Sequence, residues 1–398
     1  MVHNHYKVVI VGAGSGGISI VARLLRLEPE LRDHIVIIDP ALKHYYQPLW
    51  TLVGAGVTEK EATEKDMSTV IPKGADWLRE TVEAFDPEEN TVSTNSGKKI
   101  GYEFLVVAAG IEINWDGVKG LKETLGKKGV CSNYSFEHVN YTWELIRNFK
   151  GGNAIFTHPA TPVKCGGAPQ KIMYLAEDYL NRSGIRNESE VIFGTANPAI
   201  FDVDKYRAAL EEVVKKRNIK VNYRRNLIEI RPDQREAVFK NLDTGQDESI
   251  RYELLHVTPP MQAPAFIRKS KLADEKGWVD VDKYTLQHNR YKNIFALGDN
   301  SSLPTSKTGA AIRKQAPLAA RNLISVMQGK LPDLNYDGYT SCPLVTGYNK
   351  LILAEFDYDK NPIETMPFNQ AKERYSMYLL KKNFLPLMYW HGMLKGKM

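Results

Sequence analysis

Two cysteines far apart in the chain stand where thiol chemistry is possible: Cys165 in K-C-G-G-A-P and Cys342 in T-S-C-P-L-V-T-G. A thiolate attacks disulfides and carries a transferred sulfur atom as a persulfide, and two thiols together give up an electron pair. That pair needs an acceptor. Residues 12–17, Gly-Ala-Gly-Ser-Gly-Gly, read as a dinucleotide fingerprint, in which Gly12, Gly14 and Gly17 let the backbone approach a pyrophosphate at a helix N-terminus. Asp39 follows about 20 residues later, where an acid accepts hydrogen bonds from ribose hydroxyls.

Cys165 sits just before a predicted helix, Ala168 to Arg182, with Lys164 and Lys171 near it in sequence. The helix N-terminus and the two ammonium groups should stabilise its thiolate. The plain alternative is a structural cysteine buried in a Gly-Pro loop. Cys342 precedes Pro343 in a Gly/Ser/Thr/Pro-rich turn, and alone it says little, since a free cysteine commonly packs as a small hydrophobe. Cys131, in V-C-S-N-Y-S, is the third thiol.

These residues need elements to hold them. Val8 to Val11 reads as a strand, Ile18 to Leu27 as a helix and Ile35 to Ile38 as the next strand. Phe104 to Gly110 and Asn293 to Asp299 read as further buried strands, ending in Ala109, Gly110 and Asp299 at the sheet's carboxyl edge. Asn153 to Thr157, Val191 to Thr195, Lys220 to Tyr223 and Leu254 to Thr258 alternate with helices at Ala168 to Arg182 and Asp202 to Arg217. A β-hairpin insert is expected at Leu227 to Arg251. The expected fold is α/β: two Rossmann-like dinucleotide-binding domains, the first discontinuous (1–112 with 283–333) and the second at 113–282. A C-terminal region of strands and amphipathic helix follows at 334–398. A helix starting around Thr308 to Ala311 should aim its N-terminus at the bound cofactor.

With 398 residues and 43% hydrophobic composition the chain is long enough for several cores. Its net charge of +6 suits anionic surfaces or ligands, but no Lys/Arg run interleaved with aromatics suggests a nucleic-acid groove. Three cysteines are too few for a disulfide scaffold. No stretch approaches the roughly 18 apolar residues of a spanning helix. Met1 to Lys7 runs straight into the first strand, so no targeting peptide is read. From Gln370 onward the chain is rich in Tyr, Phe, Met and Trp flanked by Lys381, Lys382, Lys395 and Lys397. Two readings stay open: a helix packed on its own domain or on another subunit of a homo-oligomer, or attachment to a membrane surface.

With G-A-G-S-G-G, Ala109-Gly110 and Leu297-Gly298-Asp299 aligned, the chain resembles the flavoproteins of the disulfide reductase superfamily. Pro162 to Leu175, Leu303 to Thr308 and Tyr336 to Gly347 are similar to segments of sulfide:quinone oxidoreductases, the mitochondrial type and its bacterial relatives. The resemblance implies noncovalent FAD at Gly12, Gly14, Gly17, Asp39, Ala109, Gly110, Asp299 and Lys307, with Asp299 at the ribityl chain. It carries the redox thiols onto Cys165 and Cys342, with Cys131 as a third candidate. It implies hydrogen sulfide as substrate, ubiquinone or menaquinone as electron acceptor, and sulfite, glutathione, coenzyme A, cyanide or sulfide as sulfur acceptor. The enzyme would be peripheral to a bacterial cytoplasmic or mitochondrial inner membrane. Lys307, Tyr348, Phe356, Phe384 and Trp390 are candidates for the quinone slot, although Lys307 also reads as a solvated loop residue. Asn300 departs from relatives that carry cysteine there. Two other readings compete: a type II NADH:quinone oxidoreductase, and a flavoprotein with a redox-dependent binding role. In NADH-oxidising relatives the second α/β unit has its own glycine loop; here Thr157 to Pro169 is proline-rich and lacks G-x-G-x-x-G.

Overall fold

Val8–Val11 and Ile35–Ile38 are unbroken aliphatic runs, the pattern of strands covered on both faces. The computed structural model, which describes residues 4–398, sets them side by side in a seven-stranded sheet. The reading at Met1–His3 lies outside the described residues. Strand His5–Val11 is central and parallel to both Ile35–Ile38 and Lys99–Val107, with Val9 opposite Val36 and Leu105. Lys99–Val107 pairs at its carboxyl end with Ile294–Ala296, in parallel, and at its amino end with Thr91–Thr94, antiparallel. Residues 294–296 thus return from late in the chain to complete the first sheet.

The second sheet has five parallel strands in the order Val130–Cys131, Leu254–His256, Gly152–His158, Ser189–Thr195 and Lys220–Asn222. Helix Ala168–Arg182 is buried along most of its length. The insert is a correction to the sequence reading: instead of a hairpin it is a three-stranded antiparallel meander, Arg225–Arg231, Glu236–Asn241 and Asp247–Arg251. The third strand was hard to read because Ile250 is its single apolar residue. Leu227, Ile230 and Phe239 of the meander join Val130, Ile155 and Ile192 in a separate core.

An antiparallel hairpin, Thr340–Gly347 with Lys350–Phe356, places Cys342 opposite Ala354. After it come helix Tyr375–Leu379, a π-helical turn at Leu380–Phe384 and helix Leu385–His391. Tyr389, Trp390, Met393 and Leu394 are buried, whereas Tyr375, Phe384 and Leu387 are exposed. The segment therefore packs on its own chain with one face and leaves the other uncovered. Among the described residues no helix is long and apolar enough to cross a membrane.

Candidate active site

A cavity of about 670 Å³ lies at the carboxyl edge of the first sheet and runs between the fingerprint, the Cys165 loop and the C-terminal helices. Its floor is the turn after His5–Val11. Gly12 has φ +103°, a conformation unfavourable for side chains, and a Cβ there would lie 2.5 Å from the Ala108 carbonyl oxygen. A Cβ on Gly17 would lie 1.9 Å from the Gly12 oxygen, so the following helix approaches the turn as closely as it does only because glycine stands at 17. At Gly14 a Cβ would meet nothing within 4 Å, which leaves the helix N-terminus open to a ligand.

Asp39 accepts from the Ala13 amide at 2.6 Å and the Ala41 amide at 2.8 Å, while burial pushes its carboxyl pKa up. Asn300 ties two strand ends together: its Oδ1 accepts from the Gly110 amide at 3.1 Å and its Nδ2 donates to Val107 O at 3.1 Å. The departure at 300 thus has a structural job. Asp299 lines the cavity, its carboxyl pKa raised by burial against the opposing pull of Lys307 and Lys164. Lys307 is not a solvated loop residue. Its Nζ donates to Asp299 O at 2.6 Å and Ser301 O at 3.2 Å and lies 3.9 Å from the Trp278 ring centre, and burial lowers its pKa to about 8.

The two distant cysteines meet beside this floor. Cys165 Sγ lies 3.3 Å from Cys342 Sγ, well beyond the roughly 2.05 Å of a disulfide, so they stand as a hydrogen-bonded thiol pair. The loop is held by the Cys165 amide donating to Lys307 O at 2.8 Å and by Ala168 N donating to Cys165 O at 2.7 Å. Gly167 has to be small, because a Cβ there would lie 2.4 Å from Leu344 Cδ2. Lys171 Nζ lies 3.5 Å from Cys165 Sγ. A hydrogen bond from Cys342 holds the Cys165 thiol well below its ordinary range, and Lys171, the Gly167 amide and Lys381 add to this. Cys342 is pushed up, because it gives that hydrogen bond and is buried. Cys165 is thus the more acidic thiol of the pair and Cys342 the less acidic.

Phe384 lines the cavity; Tyr348, Phe356 and Trp390 do not. Tyr348 donates to Ala55 O at 2.7 Å, under the Arg182 guanidinium. Phe356 packs edge-on against Phe201, and Trp390 against Tyr389. Cys131 is fully buried, its thiol pushed up to about 12 by burial, and lies outside the cavity lining. Sequence reasoning missed Lys381, naming it only as one of the lysines that flank the aromatic tail. Lys381 is buried, lines the cavity and donates to Pro48 O at 2.9 Å, and burial, with Lys171 adding, lowers its pKa to about 7. It sits in the π-helical turn, a feature with no sequence signal and one that often marks functional sites.

The site suits a dinucleotide. Gly14, Gly110 and Gly309 all line the cavity with open space where a side chain would project. Asn133 and His256 also line it and keep buried polar atoms without a partner among the described residues, which a polar ligand would satisfy.

A family model described as pyridine nucleotide-disulphide oxidoreductase matches residues 6–141. The chain is 49% identical over 394 residues to the mitochondrial sulfide:quinone oxidoreductase of Mus musculus, covering 99% of this chain and 87% of that protein. To the mitochondrial sulfide:quinone oxidoreductase of Dictyostelium discoideum it is 50% identical over 397 residues, with the same coverage. The solved sulfide:quinone oxidoreductase of Aquifex aeolicus shares the fold, with a TM-score of 0.83 at 23% identity over 99% of this chain and 92% of that one. On identities near one residue in two along almost its whole length, the chain belongs to the sulfide:quinone oxidoreductase family of FAD-dependent oxidoreductases.

Proposed function

We propose that this enzyme oxidises hydrogen sulfide through Cys165 and Cys342 and passes the electrons to a membrane quinone. The observation that carries the reading is the 3.3 Å approach of two thiols 177 residues apart, at the edge of the cavity that the fingerprint lines. In the oxidised enzyme the two sulfurs form a disulfide. Hydrosulfide attacks Cys342 Sγ, the S–S bond breaks, Cys342 carries the new persulfide and Cys165 leaves as a thiolate. Lys171 and the helix N-terminus favour that leaving group. A nucleophile such as sulfite, glutathione, coenzyme A, cyanide or a second sulfide then takes the outer sulfur and leaves a Cys342 thiolate. Closing the Cys165–Cys342 bond again releases two electrons, which ubiquinone or menaquinone finally takes up with two protons.

FAD would be held by residues 12–17, Asp39, Ala109, Gly110 and Asp299, and would supply a two-electron carrier when bound. Lys307 braces the Asp299 loop, and Lys381, with a pKa of about 7, is placed to hold or release a proton. The apolar side chains Leu380, Phe384, Leu385 and Met388 line the C-terminal end of the cavity and suit a quinone. The exposed Tyr375, Phe384 and Leu387 support contact with a membrane surface, mitochondrial inner or bacterial cytoplasmic. Residues 1–112 with 283–333 form the FAD unit in this reading, 113–282 the second unit and 334–398 the third.

Anaerobic titration tests it. Sulfide should bleach the flavin absorbance of the purified enzyme, and added quinone should restore it. NADH should leave the spectrum unchanged, because the second unit has no glycine loop. Bleaching by NADH and not by sulfide would turn the assignment to a type II NADH dehydrogenase.

A further inference from the structure

A directed chain of hydrogen bonds joins the C-terminal helix to the glycine loop. Tyr389, on helix Leu385–His391, is buried, and its hydroxyl lies 2.5 Å from His44 Nε2 and 2.8 Å from Ser15 Oγ. The other ring nitrogen, His44 Nδ1, lies 3.1 Å from Ala13 O. A carbonyl oxygen can only accept, so Nδ1 carries the ring proton. Burial lowers the His44 pKa to about 4, so the ring is neutral and Nε2 accepts. Tyr389 therefore donates to His44, and its oxygen is left to accept from Ser15. Each direction follows: Ser15 to Tyr389, Tyr389 to His44, His44 to Ala13.

Ala13 and Ser15 flank Gly14 inside the fingerprint. The chain grips both of them, while Asp39 holds the Ala13 amide from the other side. The grip is packed in. Tyr46 lies 4.5 Å from the Tyr389 ring, centre to centre, and Trp390 lies 5.1 Å from it. Further along, Arg23 of the first helix donates to Gly396 O at 3.0 Å, and a Cβ on Gly396 would lie 2.6 Å from the Ala22 backbone. The tail is seated on the helix that opens at the fingerprint. None of these contacts touches the cysteines.

We propose that the C-terminal segment is part of the FAD site, with Tyr389 and His44 as positioning residues that hold the amides of residues 14–16 ready for the diphosphate of FAD. The proposal rests on FAD binding at the fingerprint and is independent of the sulfide and quinone chemistry. Without the phenol hydroxyl, Ser15 and His44 lose their shared partner and the loop is free to sample other conformations.

The test is FAD affinity, measured by flavin fluorescence quenching on enzyme stripped of FAD, with no sulfide or quinone present. Tyr389→Phe keeps the ring and its stacking. It removes both hydrogen bonds of the phenol, to His44 and from Ser15, and should weaken FAD by at least about tenfold. Ser15→Ala removes one of those two bonds and should weaken FAD by up to the same factor, and the double variant should be no weaker than Tyr389→Phe, because the phenol change already breaks the bond that Ser15 makes. Each stripped variant should still unfold in one cooperative transition, its midpoint lowered by no more than a few degrees, the scale of a buried hydrogen bond. If a stripped variant fails to fold, the rate of FAD loss from the holoenzyme on dilution replaces the titration, with the same tenfold and non-additive pattern expected. Unchanged affinity in Tyr389→Phe, or single effects that multiply in the double variant, would overturn the proposal.

Discussion

Serine keeps the shape of cysteine but can neither exchange with a disulfide nor carry a sulfane sulfur. Replacing Cys165 or Cys342 by serine should therefore lower sulfide-dependent quinone reduction by a thousandfold or more, on the order of other lost nucleophiles, with FAD content intact. Cys131→Ser should keep most of the activity, since that thiol is sealed away from the cavity with its pKa at about 12. A steady-state assay with sulfide, quinone and cyanide decides both, and a dead Cys131→Ser enzyme would require a three-thiol route. At this scale the sequence was informative where chemistry is local: the fingerprint, Asp39 and the helix after Cys165 are all legible from neighbouring residues. The role of Lys381 was not, because a lysine's burial depends on which way its helix turns, and nothing beside it in the chain specifies a π turn.

Helix Leu385–His391 has two faces with different work. Tyr389 and Trp390 point into the molecule; Phe384 and Leu387 remain 53% and 57% exposed. Cutting the chain at 384 would remove buried contacts along with the outer face, so it would be a poor probe of membrane contact. The joint substitution Tyr375→Asp with Leu387→Asp changes the outer face and spares the cavity lining, to which Phe384 belongs. It should lower partitioning onto anionic vesicles by at least about tenfold, since each apolar side chain removed from the interface costs on the order of 1 kcal/mol and each added carboxylate is repelled. Co-sedimentation measures this, and equal partitioning of parent and variant would remove the membrane from the assignment. The amphipathic character of this element was legible from its composition. Which aromatics turn inward was not, because that is decided by the first helix and the fingerprint loop on which the segment rests. The meander was misread for a related reason: its edge strand, Asp247–Arg251, carries polar residues that show no alternation.

For the molecule as a whole, acid should be more damaging than base. Burial, the largest cause in each case, holds His44, His158 and His288 down to about 4 and His256 to about 3. In the unfolded chain the same rings titrate near 6.5. Between these values the unfolded state binds protons that the folded state refuses, so the stability tied to these rings is fully present above about pH 6.5 and falls as the pH drops toward 4. The loss is about 1.4 kcal/mol per pH unit for each ring so held. The urea midpoint should therefore be clearly lower at pH 5 than at pH 7, and should rise further from pH 7 to 8 as buried Lys381 and Lys307 give up protons that the unfolded chain keeps; a midpoint indifferent to pH 5 would show that the histidine rings are reached by water. The return of Ile294–Ala296 to the first sheet also sets an order in time. As the chain leaves the ribosome, Lys99–Val107 emerges with its carboxyl-end partner still 187 residues away, a wait on the order of ten to forty seconds at typical synthesis rates. Asp299 is later still, and Tyr389 follows it by 90 residues. If Asp299 holds the cofactor as proposed, loading waits until residues 294–299 have been made, and a nascent chain halted before residue 294 would expose an unpaired strand edge and lack that carboxylate.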